Sequence, residues 1–152
     1  MNILIAADHG GFELKEKLKA NASRLGVTFT DLGTNNLDSV DYPDFANALC
    51  KKLIEQNKGK SEAEESLGIL LCGSGVGVSI AANRHPEIRA VLAESPEVAK
   101  LSREHNYANV LCIGARIVGL DAALQIVDGF LKAEPDLGER HARRVHKLKG
   151  AV

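Results

Sequence analysis

The sequence is poor in aromatic residues and lacks tryptophan altogether. Aromatic residues make up only 4% of the 152 residues, which argues against a surface on which nucleic-acid bases stack. A basic excess is missing too, because 19 Lys and Arg residues are balanced by 20 Asp and Glu residues, for a formal net charge of -1. Nucleic-acid-binding domains usually carry such an excess, so we predict no nucleic-acid partner.

Cysteines are few, and long apolar runs are absent. Cys50, Cys72 and Cys112 form no Cys-x-x-Cys pair and are odd in number, so neither a disulfide framework nor a zinc ribbon is predicted. The apolar N-terminal stretch has no basic region before it and runs directly into Asp8 and His9, unlike a signal peptide. The sequence contains no run of about 20 apolar residues, the length that is needed to span a bilayer. We therefore expect no membrane contact and a reducing, cytoplasmic location.

The sequence does have the composition of one globular domain, with 45% hydrophobic and 26% charged residues. Five apolar strands are predicted at residues 2–7, 27–32, 67–72, 88–92 and 110–114. Helices are predicted at residues 12–25, 42–56, 78–83, 95–106 and 120–131, with a final basic helix at about 139–149. Such alternation predicts the α/β class: a three-layer α/β/α sandwich with a Rossmann-like five-stranded parallel sheet, as a single domain over residues 1–152.

A glycine-rich turn follows the third predicted strand, at the carboxyl end where such sheets bind ligands. It comprises Gly73, Ser74, Gly75, Val76 and Gly77. Successive backbone N–H groups at the start of a helix can hold an anion or a developing oxyanion. A tight turn that only packs closely is the alternative, because short glycine motifs are weak evidence.

Three better-known loops do not fit this turn. Val78 stands where a dinucleotide-binding G-x-G-x-x-G motif needs glycine, and the turn has no lysine for a P-loop. A cysteine phosphatase loop would need arginine at the same position 78. The turn therefore predicts anion binding without one of these named activities.

Cys72 ends the third strand beside the start of a helix, where the helix dipole favours a thiolate. A thiol there can act as a base or nucleophile, or it can be a small buried apolar residue. The second interpretation is the one we favour for Cys50 and Cys112.

Polar residues also flank the first and fifth strands. Asp8 and His9 follow the first strand, Arg116 follows the fifth, and the pair His105-Asn106 precedes the fifth. We expect His9 and His105 near the same edge of the sheet. Structural histidines and an Asp8 that caps the following helix are the alternatives, and no metal-ligand spacing is present, so no metal is predicted.

The C-terminal run RHARRVHKLK at 140–149 contains five Lys or Arg residues, two histidines and no acid. Arg140 and Arg144 are four apart and share one face of a helix, which suits bidentate binding of a phosphate. A solvated, charged helix is the alternative.

The blocks ADHGGFELK, DYPDFA, LLCGSGVGVSIAAN, SREHN, NVLCIGAR and RHARRV occur in this order. Together they closely resemble the ribose/galactose isomerase family of sugar-phosphate isomerases over residues 3–145. The resemblance implies interconversion of ribose 5-phosphate and ribulose 5-phosphate, a step of the pentose phosphate pathway, without metal or other cofactor. It also implies a homodimer, or a dimer of dimers, whose active sites draw on both chains.

The resemblance assigns roles to residues as well. Cys72 falls on the base, because Val76 stands where some relatives carry a glutamate, and His105 falls on the ring-opening histidine. Asp8 and Ser74 are expected to assist the chemistry. The positions that it assigns to sugar and phosphate binding are Asp8, His9, Gly73, Ser74, Gly75, Val76, Gly77, Asn106, Arg116, Arg140 and Arg144.

Two other functions remain open from the sequence. One is the same chemistry on a six-carbon sugar phosphate, such as allose or galactose 6-phosphate, which needs a larger pocket. The other is a non-catalytic phosphate-binding module, since a fold does not fix function; such a module has no need for Cys72 and His105 together.

Overall fold

A computed structural model describes residues 1–148, which form five strands and seven helices. The strands are β1 (Asn2–Ala7), β2 (Thr28–Asp31), β3 (Gly68–Cys72), β4 (Ala90–Leu92) and β5 (Val110–Gly114). The helices are α1 (Phe12–Ala20), α2 (Ala22–Leu25), α3 (Tyr42–Asn57), α4 (Val76–Ala82), α5 (Pro96–Asn106), α6 (Leu120–Lys132) and α7 (Glu139–Leu148). Lys149, the last residue of the predicted basic helix, lies outside the described residues.

The five strands form one sheet in the order β2-β1-β3-β5-β4, and every neighbouring pair is parallel. The predicted α/β class is therefore confirmed. Because all strands run the same way, Ala7, Cys72 and Gly114 end at one edge of the sheet, which we call the carboxyl edge. The opposite edge, where the strands begin, is the amino edge.

Helices cover both faces of the sheet. On one face, Ile3 and Ile5 of β1 pack into a core with α1, α5 and α6. On the other face, Leu4 and Ala6 pack into a second core with α3 and α4. Burial on both faces explains why the central strands are continuously apolar rather than alternating.

Helix α7 packs on α5, and it buries His141 and Val145 while the basic residues between them stay exposed. Among residues 1–148, no helix combines the length and the apolar character that crossing a bilayer requires.

Several predicted boundaries need correction. The helix predicted at 12–25 breaks at Asn21, whose side-chain amide donates to the Lys17 carbonyl at 2.9 Å. An asparagine that bonds its own backbone competes with the helix. The helix predicted at 78–83 begins two residues earlier, at Val76, because the turn already ends at Gly75, which has a φ of +77°. The strands predicted at 27–32 and 88–92 are shorter, as Thr28–Asp31 and Ala90–Leu92.

Candidate active site

The turn after β3 forms the centre of the carboxyl edge. Cys72 is 5% exposed, and the Gly75 backbone N–H donates a hydrogen bond to its Sγ at 3.1 Å. The backbone N–H groups of Gly73 and Ser74 have no hydrogen-bond partner within residues 1–148. The turn thus presents a thiol and unpaired N–H donors side by side, which is the arrangement that an anion needs.

Glycine is required in this turn for two physical reasons. Gly75 lies in the left-handed region, and a Cβ there would be 2.5 Å from Leu92 Cδ1 and 2.9 Å from the Gly114 backbone nitrogen. A Cβ on Gly10, in the turn after β1, would lie 3.0 Å from the Gly73 backbone nitrogen. Only glycines let these turns approach one another so closely.

The turn after β1 holds Asp8 and His9 beside the glycine-rich turn. Asp8 is buried, and its Oδ1 accepts a hydrogen bond from the Gly11 N–H at 3.0 Å. Asp8 therefore supports the start of α1, while its Oδ2 has no partner among the described residues. The Nδ1 of His9 accepts from the Val40 N–H at 3.2 Å, which fixes the ring and leaves Nε2 as the available nitrogen.

Arg116 follows β5 and reaches back to the same turn. Its backbone N–H donates to the Gly73 carbonyl at 3.0 Å, and a Cβ on Gly73 would lie 3.3 Å from the Arg116 Nη1. A cavity of about 350 Å³ lies beside His9 and Arg116 and is also lined by Lys17 of α1. The carboxyl edge therefore places three basic side chains around one opening next to the glycine-rich turn.

Two residues at this edge were missed by the sequence analysis. The Tyr42 ring packs against Gly77, where a Cβ would lie 2.7 Å from the ring. The sequence indicated Tyr42 only as the start of a helix, although it stands within the block DYPDFA. Lys17 was interpreted only as part of the charged face of a helix, and no local signal distinguishes it from Lys19.

His105 lies at the amino edge, so the prediction that His9 and His105 share an edge is wrong. The reason is topological: α5 starts after the carboxyl end of β4 and must return to the amino end of β5. His105 and Asn106 occupy the last turn of α5. A five-residue strand such as β3 spans about 16 Å, and this length separates the two edges.

The amino edge gathers the other predicted site residues. The rings of His105 and His141 are stacked with centroids 4.4 Å apart and planes 4° apart. Arg140 Nη2 lies 3.4 Å from His141 Nε2, and Arg144 is exposed one helical turn further along α7. Asn106 is exposed beside them. The structure thus brings His105, Asn106, Arg140 and Arg144 to one end of the molecule, away from Cys72.

The other two thiols are unlike Cys72. Cys50 and Cys112 are both fully buried on the α3–α4 side of the sheet. Burial raises the pKa of Cys50 to about 12 and raises that of Cys112 well above its ordinary value. Both therefore stay protonated and serve packing. Within residues 1–148, no three His, Cys, Asp or Glu side chains come together as a metal site.

Fold and site together define the class: a parallel α/β protein with a thiol and a glycine-rich turn at one edge of its sheet and a basic, histidine-bearing end at the other. The family model described as Ribose/Galactose Isomerase matches residues 3–148. The chain therefore belongs to this isomerase family, and the resemblance seen in the sequence is confirmed.

Relatives and solved structures agree with this assignment. The chain is 42% identical to ribose-5-phosphate isomerase B of Escherichia coli, over 96% of this chain and 93% of that protein. A structure of ribose-5-phosphate isomerase B from Clostridium thermocellum is 45% identical and has a TM-score of 0.88, over 98% and 95% of the two chains. A structure of ribose-5-phosphate isomerase B from Mycoplasma genitalium, with bound ribulose-5-phosphate, is 41% identical and has a TM-score of 0.87, over 97% of this chain and 93% of that chain.

Proposed function

We propose that this protein interconverts ribose 5-phosphate and ribulose 5-phosphate, with Cys72 as the base that moves the proton, and that it serves the pentose phosphate pathway in the cytoplasm. The observation that carries the proposal is the Cys72 thiol, which is nearly buried at the carboxyl edge and accepts the Gly75 N–H at 3.1 Å. The E. coli relative, 42% identical over almost the whole chain, bears the name of this activity.

Cys72 takes the proton from C2 of the open aldose and returns it to C1, while a second proton moves from the C2 hydroxyl to the former aldehyde oxygen, and the aldehyde becomes the ketone. The enediolate between the two steps carries negative charge on oxygen. The unpaired N–H groups of Gly73 and Ser74 stabilise that charge because they are already oriented in the turn. The Ser74 hydroxyl is exposed beside them and exchanges protons with the sugar oxygens. Asp8 Oδ2 binds a sugar hydroxyl while Oδ1 stays bonded to Gly11.

The closed furanose must open before its C2 proton becomes acidic, and His105 supplies the proton transfer that opens it. Asn106 holds a sugar hydroxyl next to it. Because His105 lies about one strand length from Cys72 in the same chain, the His105 that acts at a given Cys72 comes from a second copy of the chain.

The basic residues proposed to bind the phosphate are also divided between the two edges of the sheet. His9 and Arg116 line the opening at the carboxyl edge, and Arg140 and Arg144 project from α7 at the amino edge. A dianionic phosphate suits four such groups drawn from two chains. The phosphate undergoes no bond change, so binding it orients the reacting carbons.

Exposed apolar side chains beside the glycine-rich turn support a dimer in which the second chain covers this surface. Val76 and Ile80 lie one turn apart on α4 and are 45% and 59% exposed, and nearby Ile117 is 58% exposed. Contiguous apolar surface of this kind usually marks an interface. A two-fold dimer that seats α7 of one chain against this surface of the other completes two sites at once.

A six-carbon sugar phosphate is the second candidate substrate. The cavity beside His9 and Arg116 is also lined by Lys17 and Leu37 and has a volume of about 350 Å³, so its size does not by itself select a pentose. Comparing kcat/KM on ribose 5-phosphate with kcat/KM on allose and galactose 6-phosphates separates the two substrates. We expect the pentose to be preferred. Phosphosugar binding without any isomerisation would refute the enzymatic proposal.

Mixing two inactive variants tests the shared site. Each variant chain, Cys72→Ala or His105→Ala, lacks one of the two catalytic side chains of the proposed shared site. A mixed dimer nevertheless contains one intact site. After subunit exchange, we expect about a quarter of the wild-type activity, since half the dimers are mixed and each has one of its two sites. Sites confined within one chain would give no recovery. A mixture of Cys72→Ala with the double variant Cys72→Ala/His105→Ala is the matched control and stays inactive.

A further inference from the structure

We infer that His141 is a positioning residue for His105: its stacked ring holds the imidazole of His105 in the orientation that opens the sugar ring. The inference rests on the proposed function and extends it to a residue with no assigned part in the reaction. It is carried by the parallel stack of the two rings, 4.4 Å between centroids and 4° between planes.

His141 is itself rigidly held. Its side chain is only 9% exposed, and its Nε2 lies 3.6 Å from Asp136 Oδ2 and 3.4 Å from Arg140 Nη2. Its backbone N–H donates to the Gly138 carbonyl at 3.0 Å at the start of α7. A buried ring with contacts on its edge and its backbone has little freedom, so it can restrict a neighbour that packs on its face.

The segment before α7 is tied to both sides of His105. The Asp136 backbone N–H donates to the Glu104 carbonyl at 2.9 Å, and the Asp136 carbonyl accepts from the Tyr107 hydroxyl at 2.6 Å. Glu104 and Tyr107 flank His105 and Asn106 in the chain. These two hydrogen bonds fix the distance between α5 and α7, and therefore keep the two rings in register.

Without this neighbour, His105 would sample several rotamers, because it is only half-buried in the last turn of α5. A proton donor must lie within hydrogen-bond reach of the ring oxygen that it protonates. The stack covers one face of His105 and leaves its edge, with the two nitrogens, free to meet a sugar bound at the partner chain's carboxyl edge. His141 thus contributes through His105 and not through contact with the substrate.

The test separates ring opening from proton transfer. Ribulose 5-phosphate cannot close a furanose ring because its 5-hydroxyl is esterified, so exchange of its C1 proton with deuterium from solvent requires the base but no ring opening. We expect His141→Ala to lower kcat on ribose 5-phosphate by about 10- to 100-fold while the exchange rate changes less than about threefold. His141→Phe, which keeps a flat stacking ring, should stay within about threefold of wild type in both assays.

Equal loss of both activities in His141→Ala, or an unchanged forward rate, would overturn the inference. Side-chain NMR relaxation of His105 provides a readout that does not depend on turnover. We expect the ring to be immobile on the nanosecond timescale in wild type and in His141→Phe, and mobile in folded His141→Ala. A ring that stays immobile in His141→Ala contradicts the inference. A wild-type protein that turns over neither sugar refutes the proposed function, whereas the relaxation measurement decides separately whether His141 immobilises the His105 ring.

Discussion

The two edges of the sheet carry the two halves of the candidate site, and they are built by different means. The carboxyl edge is mostly backbone: glycine turns approach one another within van der Waals contact and present N–H groups. The amino edge is held by buried side chains. Arg89 Nε donates to the Tyr107 carbonyl at 2.7 Å, and Arg103 Nη1 donates to the Ala108 carbonyl at 2.8 Å. Backbone geometry thus shapes the proposed anion site, whereas side-chain packing positions the end of the helix that carries His105.

Removing the Cys72 thiol should produce the largest loss of activity. It tests the chemistry of the carboxyl edge while leaving the fold of that edge intact. Cys72→Ala is expected to lower kcat by about 10²- to 10⁴-fold, because the proposed base is lost while the turn keeps its glycines. Steady-state assays with ribose 5-phosphate measure kcat, and circular dichroism checks that the variant is folded. Cys50→Ala, which removes a fully buried thiol on α3, should retain kcat. Near-normal turnover by a folded Cys72→Ala protein would rule out Cys72 as the base.

An intermediate effect is expected from the basic helix of the amino edge. Arg144→Gln removes one charged donor from the proposed phosphate contact, and such hydrogen bonds contribute about 1.5–3 kcal/mol. We therefore expect KM for ribose 5-phosphate to rise about 10- to 100-fold, with a smaller change in kcat. Arg143→Gln is the control on the adjoining face of α7. If the two variants raise KM equally, the basic residues act as a diffuse field rather than as a specific phosphate contact.

The smallest effect concerns stability and tests whether the carboxyl edge depends on close backbone approach. Gly75 and Gly59 both have a φ of +77°, but a Cβ on Gly59 meets nothing within 4 Å. Gly59→Ala should cost about 1 kcal/mol of unfolding free energy, from the left-handed conformation alone. Gly75→Ala should cost about 1–3 kcal/mol more, because its Cβ meets Leu92 and Gly114. Urea denaturation measures both, and equal losses would contradict the steric argument.

The sequence predicts the carboxyl edge better than the amino edge. The strands ending at Ala7, Cys72 and Gly114 are apolar runs that stop at glycine or polar residues, so their carboxyl ends coincide with the predictions. The glycines of the turn indicate a backbone conformation that other residues do not readily adopt, and such glycines can be recognised from the sequence alone. The break at Asn21 was missed because it depends on a single side-chain hydrogen bond inside a good helical pattern.

The position of His105 shows the limit of local patterns. Its helix was predicted at 95–106 and is found at Pro96–Asn106, where the Oγ of Ser95 accepts from the Val98 N–H at the start of the helix. His105 was predicted to lie near His9, but α5 returns across the sheet and ends at the amino edge. His141 carried no signal at all, because its partner lies on another helix and the stack exists only after folding.

The run of α5 across the sheet has a practical consequence for anyone who wishes to redesign this protein. His105 is the tenth of the eleven residues of α5, so about 14 Å of helix separates it from the start of α5. Under the proposed shared site, no change of rotamer lets His105 reach the Cys72 of its own chain, because a histidine side chain is shorter than that span. Specific activity should therefore decline on dilution as chains come apart, and linking two chains in tandem should abolish that decline.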